Sequence, residues 1–269
     1  MYVKNDMLGQ FGRVAEEAAR SGGLLALSGF RGEMQVRVKG RKDIVTEFDT
    51  AAEDEAVRIV KGYFPQHGIL AEESGASYLE DSTPRYLWAI DPIDGTHNYA
   101  LQLPYWCCSV AVLDSVERVV LAAAVFDPVH DEIFVARAGE GAYLNGRHMR
   151  VAALDKLEDA TLAFDIGYDP EISRRMLNIT TRLQPQVRRV RLLGSAVLAM
   201  TYVAAGRFDA YYHLSLMPWD IAAASLLIKE AGGVMTDWDG NPAGASGGGV
   251  AAANKSLHPQ LRQLLHAAE

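Results

Sequence analysis

The stretch Asp91-Pro92-Ile93-Asp94-Gly95-Thr96 places two carboxylates three positions apart, followed at once by a glycine and a hydroxyl residue. Trp88-Ala89-Ile90 runs into it as a short apolar strand. An extended segment that meets Asp-Pro is expected to turn, because proline fixes its own φ and biases the residue before it away from helix. Such a turn brings both carboxylates to one side, with the Ile93 carbonyl between them and the Gly95 and Thr96 amides just beyond. Oxygen donors suit a hard cation such as Mg²⁺. Amides exposed after a glycine, at a helix start, suit a phosphate. The motif reads as a metal-dependent phosphoryl site.

Upstream, residues 7–30 read as a helix from the recurrence of Leu8, Phe11, Val14, Ala15, Ala18 and Ala19, weakened or bent at Gly22-Gly23. Residues 36–39 alternate as a strand, Gly40-Arg41-Lys42 reads as a basic, mobile loop, and residues 43–46 lead into a helix over about 49–64, stopped by Pro65. Residues 68–71 form a buried strand that delivers Glu72-Glu73-Ser74-Gly75, and a polar loop over 76–84 precedes the strand at 86–90. Downstream the pattern turns to β at 109–113, 118–127 and 131–136, with a hairpin signal at Asn145-Gly146. Beyond residue 150, helices at 170–183, 195–205, 220–231 and 258–268 alternate with strands at 187–192, 208–213, 233–237 and 249–253. The class is α/β (α+β), with subdomains 1–150 and 151–269 in contact as one catalytic unit. The Gly244–Gly249 stretch is too short to be a domain linker.

At 269 residues, 49% hydrophobic and 22% charged, the chain has an ordinary globular balance. Its net charge of −8 argues against a general affinity for nucleic acid or anionic membranes. The longest apolar runs, such as 119–125, are too short to span a bilayer, and residues 1–6 lack a signal-peptide pattern. Adjacent Cys107 and Cys108, in an apolar run, read as buried free thiols, which fits a cytoplasmic protein.

Other stretches carry acidic or basic groups where structure alone does not demand them: Asp43-Ile44-Val45-Thr46-Glu47-Phe48-Asp49, Glu72-Glu73-Ser74, Trp219-Asp220 and the loop around Lys39. Each has an ordinary structural reading. Asp49 and Asp220 fit helix N-caps, Glu72-Glu73 a solvated turn and Lys39 a surface charge. Together, however, these fragments resemble the inositol monophosphatase family, part of the lithium-sensitive, Mg²⁺-dependent sugar phosphatases that include fructose-1,6-bisphosphatases. The resemblance covers residues 39–233. Its strongest marks are Trp88-Ala-Ile-Asp-Pro-Ile-Asp-Gly-Thr-His-Asn-Tyr99 and Trp219-Asp-Ile-Ala-Ala-Ala-Ser-Leu-Leu-Ile-Lys-Glu-Ala-Gly-Gly233.

The resemblance implies a layered αβαβα sandwich, with a mainly antiparallel sheet in the first half and a mixed sheet in the second. It implies one Mg²⁺ at Glu72, Asp91 and the Ile93 carbonyl, a second at Asp91, Asp94 and Asp220, and in some members a third near Glu72. Carboxylates crowded in this way raise one another's pKa unless cations lie between them. The implied nucleophile is a water activated by the metals, helped by Thr96 paired with Asp49. Glu72 takes its proton, and Lys39 has a supporting role. Asp94, Gly95, Thr96, Ala196, His213 and Asp220 are implied on the substrate side. Lithium is expected to inhibit by taking one Mg²⁺ position.

One position departs from the family pattern. Members that cleave inositol phosphate usually carry a glutamate where this chain has His213, and a histidine can donate as well as accept. A strand-end histidine outside the pocket is the ordinary alternative. The expected substrate is a small phosphate ester: inositol 1-phosphate or a related sugar phosphate, with fructose 1,6-bisphosphate, histidinol phosphate and nucleotide-type phosphates left open. Some bacterial members bind transcription machinery, which makes a regulatory protein the alternative of another class. Family members are commonly homodimers, and the apolar run at 105–126 fits either an interface or core.

Overall fold

The computed structural model describes residues 2–40, 42–77, 84–244 and 246–268. Met1, Arg41 of the expected basic loop, residues 78–83 of the polar loop, Ala245 and Glu269 lie outside the described residues.

The chain opens with α1 (Tyr2–Gly29), a hairpin of β1 (Val36–Gly40) and β2 (Asp43–Thr46), and α2 (Glu47–Tyr63). An eight-stranded sheet follows. It is built from β3 (Gly68–Ala71), β4 (Gly75–Ala76), β5 (Tyr86–Asp94), β6 (Cys107–Asp114), β7 (Val119–Asp127), β8 (Glu132–Arg137), β9 (Ala142–Leu144) and β10 (Arg147–His148). Its order is β10-β9-β8-β7-β6-β5-β3-β4, and only β3 and β5 run parallel. The short helix α3 (Thr96–Ala100) sits between β5 and β6.

The second sheet contains β11 (Thr161–Phe164), β12 (Arg189–Leu192), β13 (Ala210–Leu216), β14 (Val234–Thr236) and β15 (Gly248–Ala253), in the order β12-β11-β13-β15-β14. It is parallel from β12 to β13 and antiparallel beyond. Four helices complete the chain: α4 (Pro170–Leu183), α5 (Ala196–Ala204), α6 (Pro218–Glu230) and α7 (Leu257–Ala268).

Three apolar clusters hold five layers together. α1 and α2 set Phe11, Val14 and Ile59 on Trp88, Val110 and Ala124 of the first sheet. α5 and α6 are apolar on every side, as a helix buried between two layers must be. Their Val197, Met200 and Leu227 fill the space between Val125 of the first sheet and Tyr211 and Val250 of the second. α4 and α7 close the far face with Met176, Leu261 and Leu265 on Leu162 and Tyr212. Each fully buried large side chain contributes about 1.5–3 kcal/mol. The arrangement is the αβαβα sandwich expected from the sequence. Within the run at 105–126 every residue of β6 is buried, whereas Val116 and Val119, in the turn to β7 and at its start, are exposed. Cys107 and Cys108 are buried free thiols. No described helix is long and apolar enough to cross a membrane.

Some local expectations need correction. α1 runs on through Gly22-Gly23, where weakening or a bend was expected, to Gly29. These glycines let the helix approach its neighbours: a Cβ on Gly23 would come within 2.7 Å of Phe126. The chain does not turn at Asp91-Pro92, because β5 continues to Asp94. Asp91 pairs with Ser109 but Asp94 with Cys107, so β5 carries one extra residue in a bulge. A bulge tolerates the missing proline N–H. The turn comes at Gly95, with φ +101°, where a Cβ would lie 3.1–3.2 Å from Gly194 O, Ser195 Cβ and Tyr105 O. Lys39 lies on β1 rather than in the loop. Strand β11, with no counterpart in the sequence reading, lies between β12 and β13.

Candidate active site

The C-terminal end of β5 gathers the acidic residues. The Glu72 N–H donates to Ile90 O (3.1 Å), extending the β3–β5 pairing by one residue and setting Glu72 beside Asp91. Glu53, only 3% exposed, holds the turn that follows by accepting from the Glu73 and Ser74 N–H groups (2.7 and 2.8 Å). Asp91 is 2% exposed, hydrogen bonds to the Glu72 carboxyl, and leaves its Oδ1 buried without a partner. Asp220 enters from the second half of the chain, in the first turn of α6, where its Oδ2 accepts the Met217 N–H (2.8 Å). It is not the N-cap itself. Asp49 likewise occupies the third position of α2, where the N-cap is Thr46 and the two form a capping box.

The charges at this point oppose one another. Burial drives the Asp91 pKa well above the ordinary carboxylate range, and Glu72, Asp94 and Asp220 push it further. Asp220 is raised in the same way by burial, then by Asp94 and Glu72. Burial lifts Glu72 to about 7, with Lys39 opposing. Burial works against the Lys39 charge, but Glu72 and Glu73 outweigh it and leave Lys39 raised. Its Nζ lies 3.4 Å from Glu72 Oε1 and contacts Glu73 Oε1. Among the described residues, no three Asp, Glu, His or Cys side chains stand as a closed coordination group. Glu72 and Asp91 are joined by a hydrogen bond, while Asp94 and Asp220 act on them through their charge.

Thr96, 4% exposed, has its hydroxyl 3.0 Å from Asp49 Oδ1 and 3.1 Å from Ile93 O. Asp94 faces α5, with Ser195 Oγ and the Ala196, Val197 and Leu198 N–H groups donating to it. His213 is 1% exposed, and its ring lies against Gly167. Its Nδ1 accepts the Ser215 N–H (3.0 Å), so the ring proton belongs on Nε2, which is buried without a partner. Burial depresses its pKa to about 4. None of its interactions involves the four carboxylates.

The sequence reading missed Ser195, Glu53 and Asp165. Asp165 accepts the Gly194 N–H (2.9 Å), and burial pushes its carboxyl up to about 7. It directly follows β11, so reading that strand would have drawn notice to it.

The inositol monophosphatase family model matches residues 7–269. The chain belongs to the inositol monophosphatase family. An inositol monophosphatase from Anabaena (Nostoc) sp. PCC 7120 is 35% identical with a TM-score of 0.84, the match covering 97% of each chain. An IMPase/NADP phosphatase solved with Mg²⁺ and phosphate is 28% identical with a TM-score of 0.77, covering 99% of this chain and 94% of that one. Nus factor SuhB of Escherichia coli K12 is 36% identical over 90% of both chains. The chain is thus a phosphatase of this family by descent, and its relatives include proteins named for another role.

Proposed function

We propose that this protein is a Mg²⁺-dependent phosphomonoesterase that hydrolyses inositol 1-phosphate or a related sugar or polyol phosphate. The observation that carries this reading is Asp91, buried with an unpartnered oxygen and repelled by Glu72, Asp94 and Asp220. An all-oxygen donor set under mutual repulsion suits a hard cation. Glu72, Asp91, the Ile93 carbonyl, Asp94 and Asp220 would hold two or three ions. Bound Mg²⁺ supplies positive charge for the phosphoryl oxygens and lowers the pKa of the attacking water.

The protein's own groups then position and exchange protons. Asp49 fixes the Thr96 hydroxyl, which orients the incoming water. Glu72, hydrogen bonded to Asp91 and close to Lys39, would take that water's proton. Lys39 holds Glu72 and Glu73 in place. The Gly95 and Thr96 amides receive phosphate oxygens, while Asp94, Ala196 and Asp220 meet the leaving alcohol. His213, with its proton on Nε2, offers that alcohol a donor in place of the family's acceptor.

Phosphate release from inositol 1-phosphate, fructose 1,6-bisphosphate, histidinol phosphate and a nucleoside monophosphate, with and without Mg²⁺, tests the reading. Hydrolysis should require Mg²⁺ and favour the inositol ester. No hydrolysis of any ester at millimolar Mg²⁺ would overturn it.

A regulatory protein that binds transcription machinery is the second reading, favoured by the similarity to Nus factor SuhB. The acidic cluster speaks against a purely non-catalytic role. Binding to purified transcription components that survives Asp94→Asn, while phosphatase activity is lost, would support both roles together.

A further inference from the structure

Helix α5 starts without a cap from its own neighbour. Ser195 stands at the N-cap, 1% exposed, yet its side chain makes no bond to the helix. Its hydroxyl donates instead to Asp94 Oδ2, across 101 residues of sequence. The Val197 and Leu198 N–H groups reach that same oxygen at 2.9 and 3.3 Å, with the Cys107 thiol at 3.8 Å. Asp94 Oδ1, by contrast, receives only the Ala196 N–H at 3.2 Å. A carboxylate offers about four lone-pair sites over its two oxygens. Oδ2 is therefore fully engaged, and Oδ1 keeps a free one.

The segment that presents Ser195 is itself held from both halves of the chain. Asn98 Nδ2 donates to Leu193 O (2.6 Å) and Tyr105 O (2.7 Å), and Asp165 takes the Gly194 N–H. Gly95 leaves no room for a side chain between the motif and Ser195. The hydroxyl has little freedom to turn elsewhere.

We propose that Ser195 is a positioning residue for the cation site: it anchors Asp94 through Oδ2 so that Oδ1 is the oxygen offered to Mg²⁺. The inference rests on the Mg²⁺ reading above. Without the Ser195 hydroxyl the carboxylate turns about its last bond, and either oxygen can be lost to the helix amides. A plain helix cap supplied in trans would instead stabilise α5 and leave cation affinity alone.

Calorimetric titration of MgCl₂ into the purified protein, beside Ser195→Ala, Ser195→Cys and Ser195→Thr, separates the two. Outer-shell partners of metal ligands are commonly worth about 10–100-fold in affinity. Ser195→Ala and Ser195→Cys should weaken Mg²⁺ binding by about tenfold or more, and Ser195→Thr should restore it. Melting without Mg²⁺ is measured alongside. Unchanged Mg²⁺ affinity in Ser195→Ala, even with a lowered melting temperature, overturns the proposal and leaves a cap. Should Ser195→Ala not fold, the near-isosteric Ser195→Cys carries the comparison. If the wild type itself takes up no Mg²⁺, the phosphatase reading falls with it, an outcome distinct from loss of the Ser195 role alone.

Discussion

His213 shows how a single buried group ties stability to pH. Its imidazole is buried, takes the Ser215 N–H on Nδ1, and has a pKa depressed from the ordinary 6.5 to about 4 by burial. In the unfolded chain it gains a proton near pH 6.5, whereas in the folded chain it does so only near pH 4. The unfolded state therefore binds more protons across that window, so stability falls as the pH drops through it. Each pKa unit is worth about 1.4 kcal/mol, which makes the full loss about 3 kcal/mol. Urea unfolding at pH 7 and pH 4.5 checks this: His213→Gln should lose less stability on acidification than the wild type. Equal losses would place the acid sensitivity elsewhere. The residues of the Asp91 to Thr96 motif were legible because their donors sit within six positions. Ser195, Glu53 and Asp165 were not, since serines and acids are common and their significance comes from partners that the chain brings together only on folding.

At the scale of elements, glycines in helices serve opposite ends. Gly23 of α1 faces Phe126, where an added Cβ would meet the ring at 2.7 Å. Gly62 of α2 has nothing within 4 Å of that position. Gly62→Ala should stabilise the protein by about 0.5–1 kcal/mol through helix propensity. Gly23→Ala should cost about 1–3 kcal/mol, because overpacking exceeds the same gain. Denaturant midpoints of both variants check the contrast, and a destabilised Gly62→Ala or a stabilised Gly23→Ala would refute it. Sequence reading saw Gly22-Gly23 as a weak or bent point because propensity is local, while close packing against a sheet is not. The same limit applies to Pro92: its φ forbids regular helix, but only the β6 register reveals that the strand continues through a bulge. Strand β11, four residues long and between two parallel neighbours, lacks the alternation that marks a half-exposed strand.

Over the whole molecule, the candidate site lies where elements from both sheets' halves meet. Asp91 and Asp94 lie on β5 and Glu72 just after β3 in the first half, while Asp220 lies in α6 and Ser195 at the N-cap of α5 in the second. The layer order was legible only through the resemblance to the family; the helix and strand periods past residue 150 place the elements but do not stack them. The packing of α5 and α6 between the sheets follows from their apolar character on all sides. A cation bridging the halves would stabilise the fold by mass action, about 2.7 kcal/mol at a hundredfold excess over Kd. The convergence of Glu72, Asp91, Asp94 and Asp220 on shared cations is the claim on which the catalytic account depends. Its most direct test is an anomalous difference map from crystals grown with Mn²⁺ in place of Mg²⁺. The account expects manganese peaks coordinated by Asp91 together with Glu72 on one side and Asp220 on the other; a map without manganese at Asp91, or with Asp220 outside every coordination sphere, would contradict it.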